Sequence, residues 1–68
     1  MTRLRINGEE AEIAAATVAE LLAARGIDAK ARFLAVAVNG SVVRRTEWAS
    51  QTLAAGDAVE IVRPLQGG

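Results

Sequence analysis

The stretch from Phe33 to Arg44 reads FLAVAVNGSVVR and has the pattern of two short strands joined by a tight turn. Asn39-Gly40 is the dipeptide that best tolerates the positive φ angles of a two-residue hairpin turn, and such a turn pairs Val36 with Val43. We therefore predict a strand from Phe33 to Val38, a turn and a return strand. Because side chains alternate between the faces of a strand, one face carries Val36, Val38 and Val43, and the other carries Phe33, Ala35, Ala37 and Val42.

A second hairpin of the same kind is predicted at the start of the chain. Polar and apolar residues alternate from Arg3 to Ile6 and again from Glu10 to Ile13, on either side of Asn7-Gly8. Alternation of this kind is typical of a half-buried strand. A two-residue turn pairs Leu4 with Ala11, which places the apolar side chains of both strands on one face.

The residues between the two hairpins have the pattern of one short helix. Thr17 and Glu20 have the spacing of a capping box, and Gly26 is a typical helix terminator. One face of this helix carries Val18, Leu21, Leu22 and Arg25, of which the first three form the apolar stripe. An isolated helix of this length is unstable in water, so we expect the stripe to pack on the sheet.

The part of the chain after the second hairpin closes the domain. Arg45 to Ala49 is predicted to form a short turn or a single turn of helix. Trp48, the only tryptophan, is assigned to one end of the small core, with a partner contact as the alternative. A turn at Ala55-Gly56-Asp57 precedes the last strand, which runs from Ala58 to Arg63. The inward side chains of this region are Leu53, Val59 and Ile61, and the outward ones are Glu60 and Val62.

This order of elements predicts an α+β domain over residues 1–63, with a mixed sheet packed on one helix. It is the element order of the β-grasp fold of ubiquitin-like proteins, in which the first and last strands lie side by side at the centre of the sheet. Periodicity predicts the elements, whereas the strand order follows only from the fold assignment. Residues 64–68 are predicted to form a flexible C-terminal tail.

The composition argues against several classes of function. The 68 residues include neither cysteine nor histidine, so the chain offers no thiolate zinc site and no histidine-based nucleophile pair, and we predict that it is not an enzyme. Eight basic and eight acidic residues cancel and are scattered, which disfavours nucleic acid as a partner. No apolar run has the length of a membrane span or the placement of a signal peptide. We expect a cytoplasmic protein that binds no metal and no membrane.

The last residues, Pro64 to Gly68, read PLQGG. Gly67 and Gly68 have no side chains, so a terminal carboxylate at this end would fit a narrow active site on another protein. Fully extended, the segment reaches roughly 15–17 Å. Glycine-rich ends also occur without any role, and the tail by itself leaves this alternative open.

Four features together resemble the small sulfur carrier proteins of thiamine biosynthesis. They are Val36-Ala37-Val38-Asn39-Gly40, Val43-Arg44-Arg45-Thr46-Glu47-Trp48, the run from Leu53 through Asp57 to Val62, and Gly67-Gly68. These features cover the second half of the chain in order, and the first half matches in pattern only. One departure is Arg44-Arg45, where many members of the family have a proline before an arginine.

The resemblance implies that the reaction takes place on the Gly68 carboxylate. An ATP-dependent adenylating enzyme of the ubiquitin-activating type would join this carboxylate to AMP, a sulfur-donating enzyme would convert it to a thiocarboxylate, and thiazole synthase would use the sulfur. The activating partner would use the ATP, and this chain would bind no cofactor itself. Leu65, Gln66 and Gly67 would give the tail access to the partner's active site.

A docking surface is predicted from the strands that lead to the tail. Ala35, Ala37 and Val62 fall on the sheet face away from the helix, and small apolar residues on an exposed face are typical of a partner contact. Arg63, at the root of the tail, would meet an acidic groove of a partner. The alternatives are that the surface alanines have no role and that Arg63 is simply solvated.

Two other functions share parts of this pattern. The related carrier subunit for molybdopterin synthesis has the same fold, tail and activation but a different sulfur acceptor. A noncatalytic ubiquitin-like interaction module would bind partners through its sheet without reacting. The short chain and the Arg-x-x-Trp turn favour the thiamine carrier.

Overall fold

The computed structural model describes residues 1–63, and the predicted tail, residues 64–68, lies outside this part. The elements are β1 (Thr2–Ile6), β2 (Glu9–Ile13), α1 (Val18–Ala24), β3 (Ala35–Val38), β4 (Ser41–Val43), a 3₁₀ turn (Arg45–Glu47) and β5 (Ala58–Val62). Their order is the predicted one. Among residues 1–63, no helix is long and apolar enough to cross a membrane.

Both hairpins have the predicted register. Leu4 lies opposite Ala11 in the first hairpin, and Val36 lies opposite Val43 in the second. Each turn has two residues with positive φ, for example 52° at Asn39 and 85° at Gly40. These are the backbone angles of the type I′ turns that suit the twist of a two-residue hairpin, so local turn chemistry has set both registers.

The five strands form one mixed sheet in the order β2-β1-β5-β3-β4. β1 and β5 are parallel, with Ile6 opposite Val59, and β5 is antiparallel to β3, with Ala35 opposite Val62. The first and last strands therefore lie side by side at the centre of the sheet. This is the predicted β-grasp arrangement.

The predicted capping box holds the start of α1. The Glu20 amide donates to Thr17 Oγ1 at 3.2 Å, and Glu20 Oε1 accepts from the amide of Ala16 at 2.7 Å. The return bond thus reaches one residue beyond the cap residue that a standard capping box uses. At the other end, Arg25 caps the helix and Gly26 has a φ of 73°. The next two orphan amides, those of Val18 and Ala19, donate to the carbonyls of Gln51 and Trp48 at 3.0 Å. The first amides of the helix therefore all have partners, which stabilises a helix of only seven residues.

The core lies between α1 and the inner face of the sheet. Its buried members are Leu4, Ile6, Ala15, Val18, Leu21, Leu22, Leu34, Val36, Val38, Val43, Trp48, Val59 and Ile61. Trp48 is 4% exposed, and its Nε1–H donates to the carbonyl of Val43 at 2.9 Å. Because the one polar atom of the indole has a partner, the ring can close the end of the core, as predicted.

The start of β3 is predicted wrongly, and the last strand ends at Val62, one residue before the predicted end at Arg63. The strand predicted from Phe33 begins at Ala35, because Phe33 has a φ of 63° and cannot continue an extended chain. The Phe33 side chain is 80% exposed, and its neighbour Leu34 takes the buried position with 6% exposure. The backbone therefore changes direction at Phe33, so the first two residues of the apolar run FLAVAV are not part of the strand. The periodicity of the run does not indicate this change.

The asparagines of both turns also bind β5 through their side chains. Asn7 Oδ1 accepts from the amide of Ile61 at 2.8 Å, and Asn7 Nδ2 donates to the carbonyl of Ile61 at 3.1 Å. Asn39 Oδ1 accepts from the amide of Ala58 at 2.9 Å, and Asn39 Nδ2 donates to Asp57 Oδ1 at 3.0 Å. The two turns thus fix both halves of the last strand, a role that the sequence analysis did not assign to them.

This network predicts a pH-dependent loss of stability in Asn39→Asp. The substitution removes the amide donor and places a second carboxylate beside Asp57, so we expect the free energy of unfolding at pH 7 to fall by about 1–2 kcal/mol. Repulsion raises the pKa of one of the two carboxyl groups. The loss should therefore be smallest below the ordinary carboxyl pKa of about 3.9 and grow as the pH rises through it.

Urea unfolding of wild type and variant at pH 3 and pH 7 measures this effect. The matched control is the exchange variant Asn39→Asp with Asp57→Asn, which restores one amide and one carboxylate and should recover most of the stability at pH 7. Equal losses at both pH values, or no recovery in the exchange variant, would contradict the proposed contact.

Candidate docking surface and tail root

The sheet face away from α1 carries an apolar surface that we call the β3–β5 patch, formed by Ala35, Ala37, Val42 and Val62. Val62 lies opposite Ala35 on β3, and Ala37 lies opposite Val42 on β4. Val62 is 61% exposed and Val42 is 78% exposed. The structure therefore brings three of the predicted docking residues, Ala35, Ala37 and Val62, together on one exposed face.

Two residues of this region were not selected as docking residues from the sequence. Alternation placed Val42 and Phe33 on the outer face, but it does not indicate how far a side chain projects. Phe33 precedes Ala35 by two residues, so it lies at the end of the sheet where β5 ends. A bulky residue at positive φ is strained, and here the strain accompanies an almost fully exposed aromatic ring.

The other half of the same face, on β1 and β2, carries a charge network. Arg3 contacts Glu10 at 3.1 Å and Glu12 at 3.3 Å, and Arg5 contacts the second oxygen of Glu10 at 3.3 Å. All four side chains are more than half exposed, so each ion pair stabilises the fold only slightly. Their main effect is that this half of the face presents balanced charges beside an apolar half.

The same network shifts two pKa values. Hydrogen bonds from Arg5 and then Arg3 lower the pKa of Glu10 below its ordinary value, and the bond to Glu10 is the main cause that raises the pKa of Arg3. A lowered carboxyl pKa stabilises the folded state above the ordinary value, and this contribution is lost as the pH falls through the lowered pKa.

We therefore expect the pKa of Glu10 to rise toward its ordinary value in Arg5→Gln, because one of its two donors is removed. A carbon-detected NMR titration of the Glu10 carboxyl measures the shift. Arg25→Gln, on the helix, is the control and should leave Glu10 unchanged. An unchanged pKa of Glu10 in Arg5→Gln would show that the pair does not persist in solution.

The root of the tail is held by the strand before it. Arg63 follows β5 directly and is exposed, and Ile61, two residues earlier, is bonded to the side chain of Asn7. The predicted tail residues Leu65, Gln66, Gly67 and Gly68 lie outside the described residues. Within residues 1–63, no group of three or more acidic side chains is placed to hold a metal ion.

The central parallel strand pair, the single described helix against one face and the open opposite face define a ubiquitin-like β-grasp protein. The sequence model of the ThiS family matches residues 4–68. The chain belongs to the ThiS family. No curated protein sequence matches it.

Two solved structures of a thiamine biosynthesis protein (ThiS) from Geobacter metallireducens are similar to this chain. The crystal structure is 34% identical with a TM-score of 0.78, and covers 98% of this chain and 100% of its own. The NMR solution structure is 33% identical with a TM-score of 0.79, and covers 98% of this chain and 88% of its own. These matches confirm both the fold and the resemblance to the sulfur carriers of thiamine biosynthesis.

Proposed function

We propose that this protein carries sulfur for thiazole formation in thiamine biosynthesis, as a thiocarboxylate on Gly68. The observation that carries the proposal is that the ThiS family match runs through residue 68 and so includes the diglycine end. The similar solved structures, which are of a thiamine biosynthesis protein, support the same assignment.

The chemistry follows from the properties of a terminal carboxyl group. With an ordinary pKa of about 3.3–3.7, it is ionised at pH 7 and is a poor electrophile. The proposal is that an ATP-dependent adenylating enzyme converts it to a mixed anhydride with AMP. The outer sulfur of a persulfide on a sulfur-donating enzyme then attacks this anhydride and displaces AMP, which leaves an acyl disulfide between the chain and the donor. A second thiol of the partner attacks the donor sulfur, forms a disulfide with it and so reductively releases the thiocarboxylate for thiazole synthase.

In this proposal the chain is a substrate and not a catalyst. It contains no cysteine and no histidine, so it has neither a thiol to carry sulfur nor the usual base to activate a nucleophile. ATP belongs to the activating partner. The task of the folded domain is to bind the partners and to place the start of the tail at a fixed point.

The sequence of the tail suits entry into a narrow channel. Gly67 and Gly68 add no side chains beside the reacting carboxylate, and Leu65 and Gln66 separate it from the domain. A side chain at either glycine would make the tail wider next to the reacting carboxylate, which is the part that must fit the partner's narrow channel. We propose that these four residues give the carboxylate access to the partner's active site.

The β3–β5 patch is the proposed docking surface for the adenylating enzyme. It combines exposed branched side chains with small alanines, which lets a partner approach the sheet closely. Val62 precedes the tail root by one residue, so a partner bound there also receives the tail. Arg63 is exposed beside it and is proposed to meet an acidic groove.

Loading of the tail is the direct test of the proposed function. Incubation with an adenylating enzyme, ATP and a sulfur source should raise the intact mass by the difference between one sulfur and one oxygen atom. Deletion of Gly68 should abolish this change and leave the urea unfolding curve unaltered, because the core residues lie before residue 62. The shortened chain still ends in a carboxylate, now on Gly67, so its loading to the wild-type extent would disprove the assignment to Gly68.

Val62→Asp tests the docking surface separately. A charge in the middle of an apolar contact should weaken binding to the adenylating enzyme at least about tenfold, or ~1.4 kcal/mol. The cost to folding should stay within about 1 kcal/mol, because Val62 is exposed at the end of a strand. Calorimetric titration and urea unfolding measure the two quantities.

Two control variants separate the causes. Val62→Thr keeps the branched shape without a charge, and Thr46→Asp adds the same charge to the exposed 3₁₀ turn, outside the β3–β5 patch. Both should bind nearly as well as wild type. Undiminished affinity of Val62→Asp would exclude the patch as the docking surface while leaving the chemistry of the tail intact.

A further inference from the structure

A second surface feature lies on the helix side of the domain, away from the β3–β5 patch. It is a cleft of about 600 Å³ between the start of α1, the connection from α1 to β3, and the 3₁₀ turn. Its apolar floor includes Ala19, Trp48 and Ala49. Its volume is within the ~300–1,000 Å³ range of ordinary binding pockets.

The charged residues that line this cleft are all basic. They are Lys30, Arg32 and Arg45, and no acidic side chain lines the cleft. Within residues 1–63, the ion pairs are those of Arg3 and Arg5 on the opposite face, so none of the three cations has a carboxylate partner. The nearest acids in the sequence are Asp28, which accepts from the Lys30 amide at 2.9 Å, and Glu47, two residues after Arg45. Neither lines the cleft. In a chain with no net charge, this is a local concentration of positive charge.

Arg45 joins two of the segments that line the cleft. Its guanidinium donates to the carbonyls of Ala29 and Ala31, the latter at 2.7 Å, and lies 4.7 Å from the centre of the Trp48 ring. These contacts join the connection from α1 to β3 with the 3₁₀ turn. The two walls are therefore held in place beforehand, which lowers the entropic cost of binding.

The polar groups of the cleft favour carboxylates on a peptide over a small phosphate ligand. Lys30 and Arg32 are exposed, and their long side chains can follow the carboxylates of a segment laid across the cleft. A built phosphate site usually has fixed backbone amides at a helix N-terminus or nest. Within residues 1–63, no buried side-chain polar atom lacks a partner, so no buried polar side chain is left to orient a small ligand.

From this geometry we infer that the cleft binds a short acidic segment of a partner protein. An apolar side chain of that segment packs on Ala19 and Ala49, beside the small exposed part of Trp48. Flanking carboxylates meet Lys30, Arg32 and Arg45. Because the cleft lies on the helix side, a partner bound there leaves the β3–β5 patch free. The inference does not depend on the proposed sulfur chemistry.

The lone tryptophan makes the inference testable without a label. The probe is a peptide Asp-Glu-Leu-Asp-Glu with blocked ends, titrated into the full-length protein at low salt while Trp48 fluorescence and amide NMR signals are followed. The expected result is saturable shifts of the Trp48 indole, Lys30, Arg32 and Ala49 signals, with binding that weakens as salt screens the charges. The Ser-Ser-Leu-Ser-Ser peptide should bind at least tenfold more weakly.

Charge reversal at the cleft supplies the matched variants. Lys30→Glu with Arg32→Glu should weaken peptide binding at least tenfold, whereas Arg25→Glu with Arg44→Glu, which changes the net charge equally outside the cleft, should not. Loading of the tail should proceed in both variants, so a failure here is distinct from a failure of the proposed function. No shifts at the cleft, equal weakening in both variants, or saturation by ATP or inorganic phosphate without peptide binding would overturn the inference.

Discussion

The parallel pairing of β1 with β5 is the constraint on which the rest of the structure depends. It joins the two ends of the domain through bonds of 2.9 Å from the Arg5 amide to the Asp57 carbonyl and from the Asn7 amide to the Val59 carbonyl. Closing so long a loop costs chain entropy that a few backbone hydrogen bonds do not offset by themselves. The pairing persists because it also buries both strands under α1 and because the asparagine side chains of the two turns add bonds to β5.

This arrangement gives the domain two separate surfaces. The outer face carries the β3–β5 patch beside a balanced network of arginines and glutamates, and β5 runs through its centre toward the tail root. The helix side carries the cleft, whose cations have no acidic partner among the described residues. A net charge of zero therefore hides an uneven distribution, since the acids of β2 neutralise the arginines of β1 while the cleft keeps its positive charge. Partners could occupy the two surfaces at once.

Local signals in the sequence predicted most elements correctly. The Asn-Gly turns, the alternation of Leu4 and Ile6 and the cap at Thr17 act between residues a few positions apart, so their outcome depends little on the remainder of the chain. Phe33 shows where this fails. Its positive φ depends on the path of the whole connection from α1 to β3, which periodicity does not describe. The assignment of the β-grasp fold predicted the strand order, because pairing between distant strands leaves no pattern in the sequence of either strand.

The sequence by itself determined the two hairpin registers and the helix with its buried stripe. It also determined that the chain has no cysteine or histidine, and its reactive group is proposed to be the terminal carboxylate. Only the tertiary structure decided which outward side chains meet on one face, such as Val62 beside Ala35, and that Arg45 joins two segments over Trp48. The physical reason is range. The energy of a turn or a helix cap depends on residues that are close together in the sequence. A surface patch or a cleft forms only where burial of a common core brings distant segments of the chain together.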